Sequence, residues 1–253
     1  MVRRFCFIAL ITVILPCFAG LLQGFVFSFR LPTPQERKVL DNCSKVIEKV
    51  LAQFRDDDWE ENVDHSLANV EVDPNSEHPL DLNAIIQRTY DVRGSSARYK
   101  EQVLPLVKQM VQSQDLDEKK ALNQQIQDLM QVQVQVRLNQ PHISVVPAPQ
   151  GASSADTQNP ELQNNDLQIP GAAFAYKIKN TEYASGTAYV LLFGDARALT
   201  WNPEHNWFDY KFAHPAGTPF VENVEFRIYG ADDRIQQLLH TIDWQEINKA
   251  ITP

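Results

Sequence analysis

Residues 201–217, WNPEHNWFDYKFAHPAG, gather the side chains best able to do chemistry in this chain. His205, Asp209 and His214 are all of metal-ligating type. The turn signals Asn202-Pro203 and Pro215-Ala216-Gly217 bracket a strand over 206–213. Along an extended strand, His205 and Asp209 lie about 13 Å apart, and His214 falls on the opposite face from Asp209. Zinc needs its donor atoms about 2 Å from one ion. The spacing therefore predicts no metal site, and no motif calls for another cofactor.

The same alternation puts Phe208, Tyr210 and Phe212 on a core face and Trp207, Asp209 and Lys211 on the other. Tyr229, at the end of the strand begun at Val224, is expected beside Trp207, with Arg227 nearby and Trp201 in the adjoining loop. Trp201, Trp207, Asp209, Lys211 and Tyr229 are thus the candidate contacts for a partner or ligand. The alternative is that this face is buried against helices, where large aromatics commonly end.

Catalytic motifs are sparse. A nucleophile elbow, a P-loop, a dinucleotide glycine pattern and a paired-histidine zinc helix are all missing from the sequence. Asp195 and Glu204 could form the carboxylate pair of a glycoside hydrolase, whose separation only a fold can set. Asp195 follows Gly194 at a strand end, which is also ordinary turn chemistry. Ser185 in YASGTAY reads as a strand start. His65, His78, His142 and His240 are scattered along the chain. The balance points to a protein that is not an enzyme, with a hydrolase using Asp195 and Glu204 as one alternative.

Charge narrows the partners. The 253 residues carry 32 acids against 23 bases, a net charge of -9. Such a chain is not built to neutralise phosphates, so nucleic acid is excluded as a partner. Arg3 and Arg4 precede an uncharged run over 5–29, long enough to cross a hydrocarbon core of about 30 Å. A shorter reading is a signal peptide cleaved after Ala19, which would leave a secreted or periplasmic protein. The apolar run continues past that point to Phe29, which favours an uncleaved membrane anchor with the folded part outside the cytoplasm. Cys6 and Cys17 lie inside this run. Cys43 lies on the apolar stripe of a predicted helix and reads as a buried structural thiol.

The elements that must position the candidate residues follow from periodicity. Thr33 and Glu36 form a capping box, with Pro34 at the first helical position. Val39, Cys43, Val46, Ile47, Val50, Leu51 and Phe54 then repeat at helical spacing, predicting a helix over 34–54. Five acids in the six residues 56–61 read as its solvated end. A short strand is expected over 68–72, and a helix from Asp81 through Val92 closed by Gly94. Ser96 opens a further helix that Pro105 should kink or restart. Asp115 and Glu118 cap another, carrying Leu122, Ile126, Leu129 and Met130. VQVQVRLN, residues 132–139, alternates strictly and predicts a half-buried strand.

Residues 140–170 lack Lys and Arg and are rich in Pro, Gln, Asn and Ser, as in a flexible acidic loop or linker. Beyond it, strands are expected over 174–178, 184–193, 206–213 and 224–228. A helix capped by Asp232 and a last short one begun by Asp243 and Glu246 complete the chain. The expected class is α+β. Its parts are an anchor or signal peptide over 1–30, a mainly helical region over 31–139, the loop over 140–170, and an α+β domain over 171–253. That domain holds a four-stranded antiparallel sheet with two C-terminal helices. The expected role is non-catalytic: a membrane-anchored, extracytoplasmic binding or adaptor protein contacting an envelope protein or peptide. Glycan or lipid binding in a pocket between sheet and helices is the other alternative.

Overall fold

A computed structural model of the protein describes residues 29–65, 67–82, 85–144, 167–179, 187–205 and 207–251. The anchor or signal peptide falls on residues outside this set, as does most of the acidic loop. Among the described residues, no helix is long and apolar enough to cross a membrane.

The first helix, α1 (Pro34–Leu51), forms as its capping signals predict. The Thr33 hydroxyl accepts from the Glu36 N–H, and the Glu36 carboxylate accepts from the Thr33 N–H. Leu40, Cys43, Ile47, Val50 and Leu51 are buried along its inner stripe. Arg30 grips the same cap, its guanidinium spanning both Glu36 oxygens at 2.6 and 2.7 Å. Its backbone also pairs in both directions with Val72. The chain is thus tied into the fold immediately after Phe29.

The strands depart from expectation. The acidic stretch is not merely a solvated helix end: it opens strand β1 (Trp59–His65). Trp59 is buried, and the Arg98 and Arg234 guanidinium groups each lie 5.8 Å from its ring. The helix expected from Asp81 is instead strand β2 (Ile86–Val92). Its inward set is Ile86, Arg88, Tyr90 and Val92, with Gln87, Thr89 and Asp91 on the other face, where Thr89 is also buried. Arg88 hides this period in the sequence, because it occupies a core-facing position and is held there by Glu61. β-branched and aromatic side chains suit such a pleated surface. In place of the short strand over 68–72 there is a 3-10 turn (Leu67–Asn69), followed by isolated bridges from Val72 to Arg30 and Leu82.

A π-helical segment (Tyr99–Val103) precedes α2 (Leu104–Gln112), so the helix restarts at Pro105 as that residue requires. α3 (Leu116–Met130) is capped by Asp115 and runs directly into β3 (Gln131–Leu138). The remaining strands are β4 (His142–Ser144), β5 (Phe174–Lys179), β6 (Thr187–Phe193), β7 (Leu199–Asn202), β8 (Trp207–Tyr210) and β9 (Val224–Gly230). α4 (Asp232–Thr241) and a 3-10 helix (Trp244–Ala250) follow.

The class is α+β, but the expected single four-stranded sheet is two antiparallel sheets. A six-stranded sheet runs β1-β2-β3-β9-β6-β5, and a three-stranded sheet runs β4-β8-β7. The large sheet draws strands from both sides of the acidic loop, with β3 paired to β9 from Val132–Gly230 to Leu138–Val224. One face buries Val132, Val134, Val136, Val224, Phe226 and Ile228 against α1, α4 and Trp244. On the other face, Phe174, Val190 and Leu192 of β5 and β6 pack on Ile143, Phe208 and Tyr210 of the small sheet. This second layer also buries Glu225 and Tyr229, which simple alternation would have left in water.

Two devices join the sheets. Gly194, at φ +146°, turns the chain out of β6 where an added Cβ would lie 2.8 Å from the Glu222 carbonyl oxygen. Only a residue without a side chain fits that approach. Asn139 sits past β3 in the left-handed region at φ +50° and is 1% exposed. Its Nδ2 donates to the Pro79 and Phe220 carbonyls, each at 2.7 Å, and its Oδ1 accepts from the Glu222 N–H at 2.8 Å. One buried amide therefore holds three chain segments together beneath the small sheet.

Candidate functional site

The small sheet positions the candidate residues. β8 is flanked by β4 and β7, pairing Asp209 with His142 and Thr200, and Trp207 with Ser144 and Asn202. Phe208 and Tyr210 point inward, as their alternation predicts, and are buried. Trp207 and Asp209 point outward. Tyr210 secures the strand from below, its hydroxyl donating to the Glu222 carbonyl and accepting from the Asp195 N–H.

Asp209 is the centre of the outer face. Its Oδ1 accepts from the Trp207 Nε1 at 2.8 Å and lies 2.8 Å from the His142 Nδ1. Its Oδ2 accepts from the Asn202 Nδ2 at 2.9 Å. Burial pushes the Asp209 carboxyl up, but the hydrogen bonds from Asn202, His142 and Trp207 outweigh it. The carboxyl is held below its ordinary value. Asp209 is therefore an anion at neutral pH and fixes three neighbours at once. His205 stacks on the indole of Trp207 and His142 packs on it at a tilt of 32°, with ring centroids 4.5 and 4.7 Å away. His142 remains half-exposed and His205 exposed. The arrangement is an aromatic surface whose rotamers are already set.

The predicted contact residues divide. Trp207 and Asp209 meet. Trp201 packs on Phe208 at 5.0 Å and is partly buried against the second core. Lys211 is exposed just beyond β8, where its N–H donates to the Ala198 carbonyl. Tyr229 is not beside Trp207. β8 belongs to the small sheet and β9 to the large one, where Tyr229 is buried between Gln133 and Ala188.

Three members of the cluster were not legible as such. His142 lies 67 residues before Asp209 and meets it only through the β4–β8 pairing. His205 sits in the turn before β8 rather than in the strand, which lets its ring fold back on Trp207. Asn202 reads only as half of a turn signal, yet its carboxamide completes the shell of Asp209. The potential metal ligands separate: His205 goes to Trp207, Asp209 to its three donors, and His214 to Glu222 at 3.0 Å.

Asp195 and Glu204 are also separately engaged. Arg197 embraces the exposed Asp195 carboxylate and holds it below its ordinary value. A general acid needs the opposite shift. Glu204 stands in the exposed turn after β7, its N–H donating to Asn202 Oδ1. The His142–Asp209 pair can hold and orient a proton, as a carboxylate does for a catalytic imidazole. Chemistry of that kind also requires a nucleophile and electrophilic donors in reach.

Comparisons with protein families, with curated proteins and with solved structures return no match to this chain.

Proposed function

We propose that the protein is a non-catalytic binding or adaptor module whose contact surface is the outer face of the small sheet. It is held at a membrane by residues 5–29, with its folded part outside the cytoplasm, and its partner is another envelope protein or a peptide. The observation that carries the reading is the convergence of Trp207, His142 and Asn202 on the Asp209 carboxylate. An aromatic surface immobilised before binding loses little side-chain entropy on association. Tryptophan near the centre of a contact is the commonest type of energetic anchor.

The location draws on the uncharged run behind Arg3 and Arg4. It gains a geometric consequence from Arg30, which is clamped to Val72 and Glu36 directly after that run. An anchored fold would sit against the bilayer with no spacer, with Leu31 exposed at that edge.

Purification from gently solubilised native membranes, beside a Trp207→Ala/His142→Ala variant with the same unfolding midpoint, tests the proposal. Mass spectrometry should identify a partner that travels with the native protein and is lost from the variant. Equal recovery of the same proteins by both would refute the assignment of this surface.

A further inference from the structure

The outer half of the large sheet carries a second, separate feature. The small sheet packs on β5, β6 and β9 on that face, and among the described residues no buried apolar cluster extends over β1, β2 and β3 there. There the strands floor a depression of about 570 Å³ lined by Asn62, Val63, Gln87, Thr89, Asp91, Gln131 and Gln133. Its volume falls within the roughly 300–1,000 Å³ of small-ligand sites.

The composition of this floor is selective. Four of those residues are primary carboxamides, each offering two N–H donors and a carbonyl acceptor. Asp91 organises two of them, accepting from the Asn62 Nδ2 at 2.8 Å and from the Gln131 Nε2 at 3.0 Å. Among the described residues, the carbonyl oxygens of both amides accept no hydrogen bond, so their acceptor capacity remains. The side chains of Gln87 and Gln133 make no hydrogen bond among the described residues, so their full capacity is available. Among the described residues, no Lys or Arg lines the depression, and its single carboxylate is already engaged. An anion would find no counter-charge there, and an apolar ligand would strand the amides without partners.

The location excludes another class. β2 is paired on both sides, to β1 and to β3. An extended peptide therefore cannot add itself as a strand in the middle of this floor. What matches is a neutral ligand rich in groups that donate and accept together, which describes the hydroxyls of a carbohydrate. The geometry points to a binding site for a neutral oligosaccharide on the open face of β1, β2 and β3. This site does not depend on the Trp207 surface, and either can fail without the other.

Calorimetric titration of the full-length chain tests the site, in a zwitterionic detergent without a sugar headgroup. The probes are neutral linear hexasaccharides of glucose, mannose, galactose and N-acetylglucosamine. A sulfated hexasaccharide and a neutral peptide of similar length serve as comparators. At least one neutral glycan should bind saturably, with Kd of about a millimolar or tighter. A Gln87→Ala/Gln133→Ala variant should raise that Kd at least tenfold while keeping the native urea midpoint. Asp91→Ala, which removes both acceptors and releases Asn62 and Gln131, should raise it several-fold. The inference is overturned if no neutral glycan binds. It is equally overturned if the double variant binds with the native Kd, or if only the sulfated glycan or the peptide binds.

Discussion

Replacing Asn139 tests the join between the two sheets and has a distinctive sign. The Asn139 amide makes three short buried hydrogen bonds, to Pro79, Phe220 and Glu222. Each is worth about 1–1.5 kcal/mol, and removing it strands a backbone group of another segment. Asn139→Ala and Asn139→Gly both lose these bonds, a cost of about 3–4 kcal/mol. They differ in the backbone. At φ +50°, alanine meets the left-handed penalty of about 1–2 kcal/mol. Glycine avoids it but loses about 0.5–1 kcal/mol through its freer unfolded chain. The net expectation is that the glycine variant is the more stable by roughly 0.5–1 kcal/mol. In an ordinary strand the order is reversed, because glycine is then the weaker residue. Urea unfolding of full-length protein in mild detergent, followed by tryptophan fluorescence, gives both midpoints. An alanine variant as stable as the native protein, or a glycine variant less stable than alanine, would refute the reasoning.

Other outcomes follow from particular residues. The Glu36 carboxyl is lowered to about 2 from 4.5, first by its hydrogen bond with Arg30 and against the effect of burial. Its stabilisation is complete above about pH 4.5 and is lost as pH falls toward 2, so an acid titration of stability should be steeper for the native protein than for Glu36→Gln. The shift corresponds to about 3 kcal/mol at most, reduced to about 1–2 by the solvent exposure of Arg30. Burial pushes the Cys43 thiol up to about 12. In a Cys6→Ser/Cys17→Ser background, a thiol reagent at pH 8 should therefore leave the folded protein unmodified and label it at once in denaturant. Asp209→Ala should change stability by less than about 1 kcal/mol, since the site is partly exposed, yet speed release of a bound partner at least tenfold in a dissociation assay. If residues 5–29 anchor the chain, a fluorophore on Leu31→Cys in the same Cys6→Ser/Cys17→Ser background, where the remaining Cys43 is buried, should be quenched by brominated lipid, and one on Lys45→Cys should not.

The sequence disclosed most where local physics decides. The capping box at Thr33, the restart at Pro105 and the alternation of β3 all depend on neighbours along the chain, and each formed as its pattern requires. β2 reads as a helix in the sequence because Arg88 occupies a core-facing position, paired with Glu61 from another strand. The sheet count was hidden for a related reason. Phe208 and Tyr210 correctly announced an inward face, but nothing local says which core receives it. Strand partners are set by long-range pairing. The same limit separated Tyr229 from Trp207 and concealed His142, whose position beside Asp209 depends on β4 joining β8.

The central claim is that the Trp207 face is where another molecule docks. A photo-crosslinking residue at Glu204, in the exposed turn beside that face, tests it most directly when the full-length protein is illuminated in its native membrane. A second crosslinker at Lys45, exposed on α1, reports on a surface assigned no role. A discrete adduct from position 204, absent from position 45 and lost when Trp207→Ala and His142→Ala are added, is the predicted result. No discrete adduct from 204, or one that persists unchanged in that variant, would contradict the account.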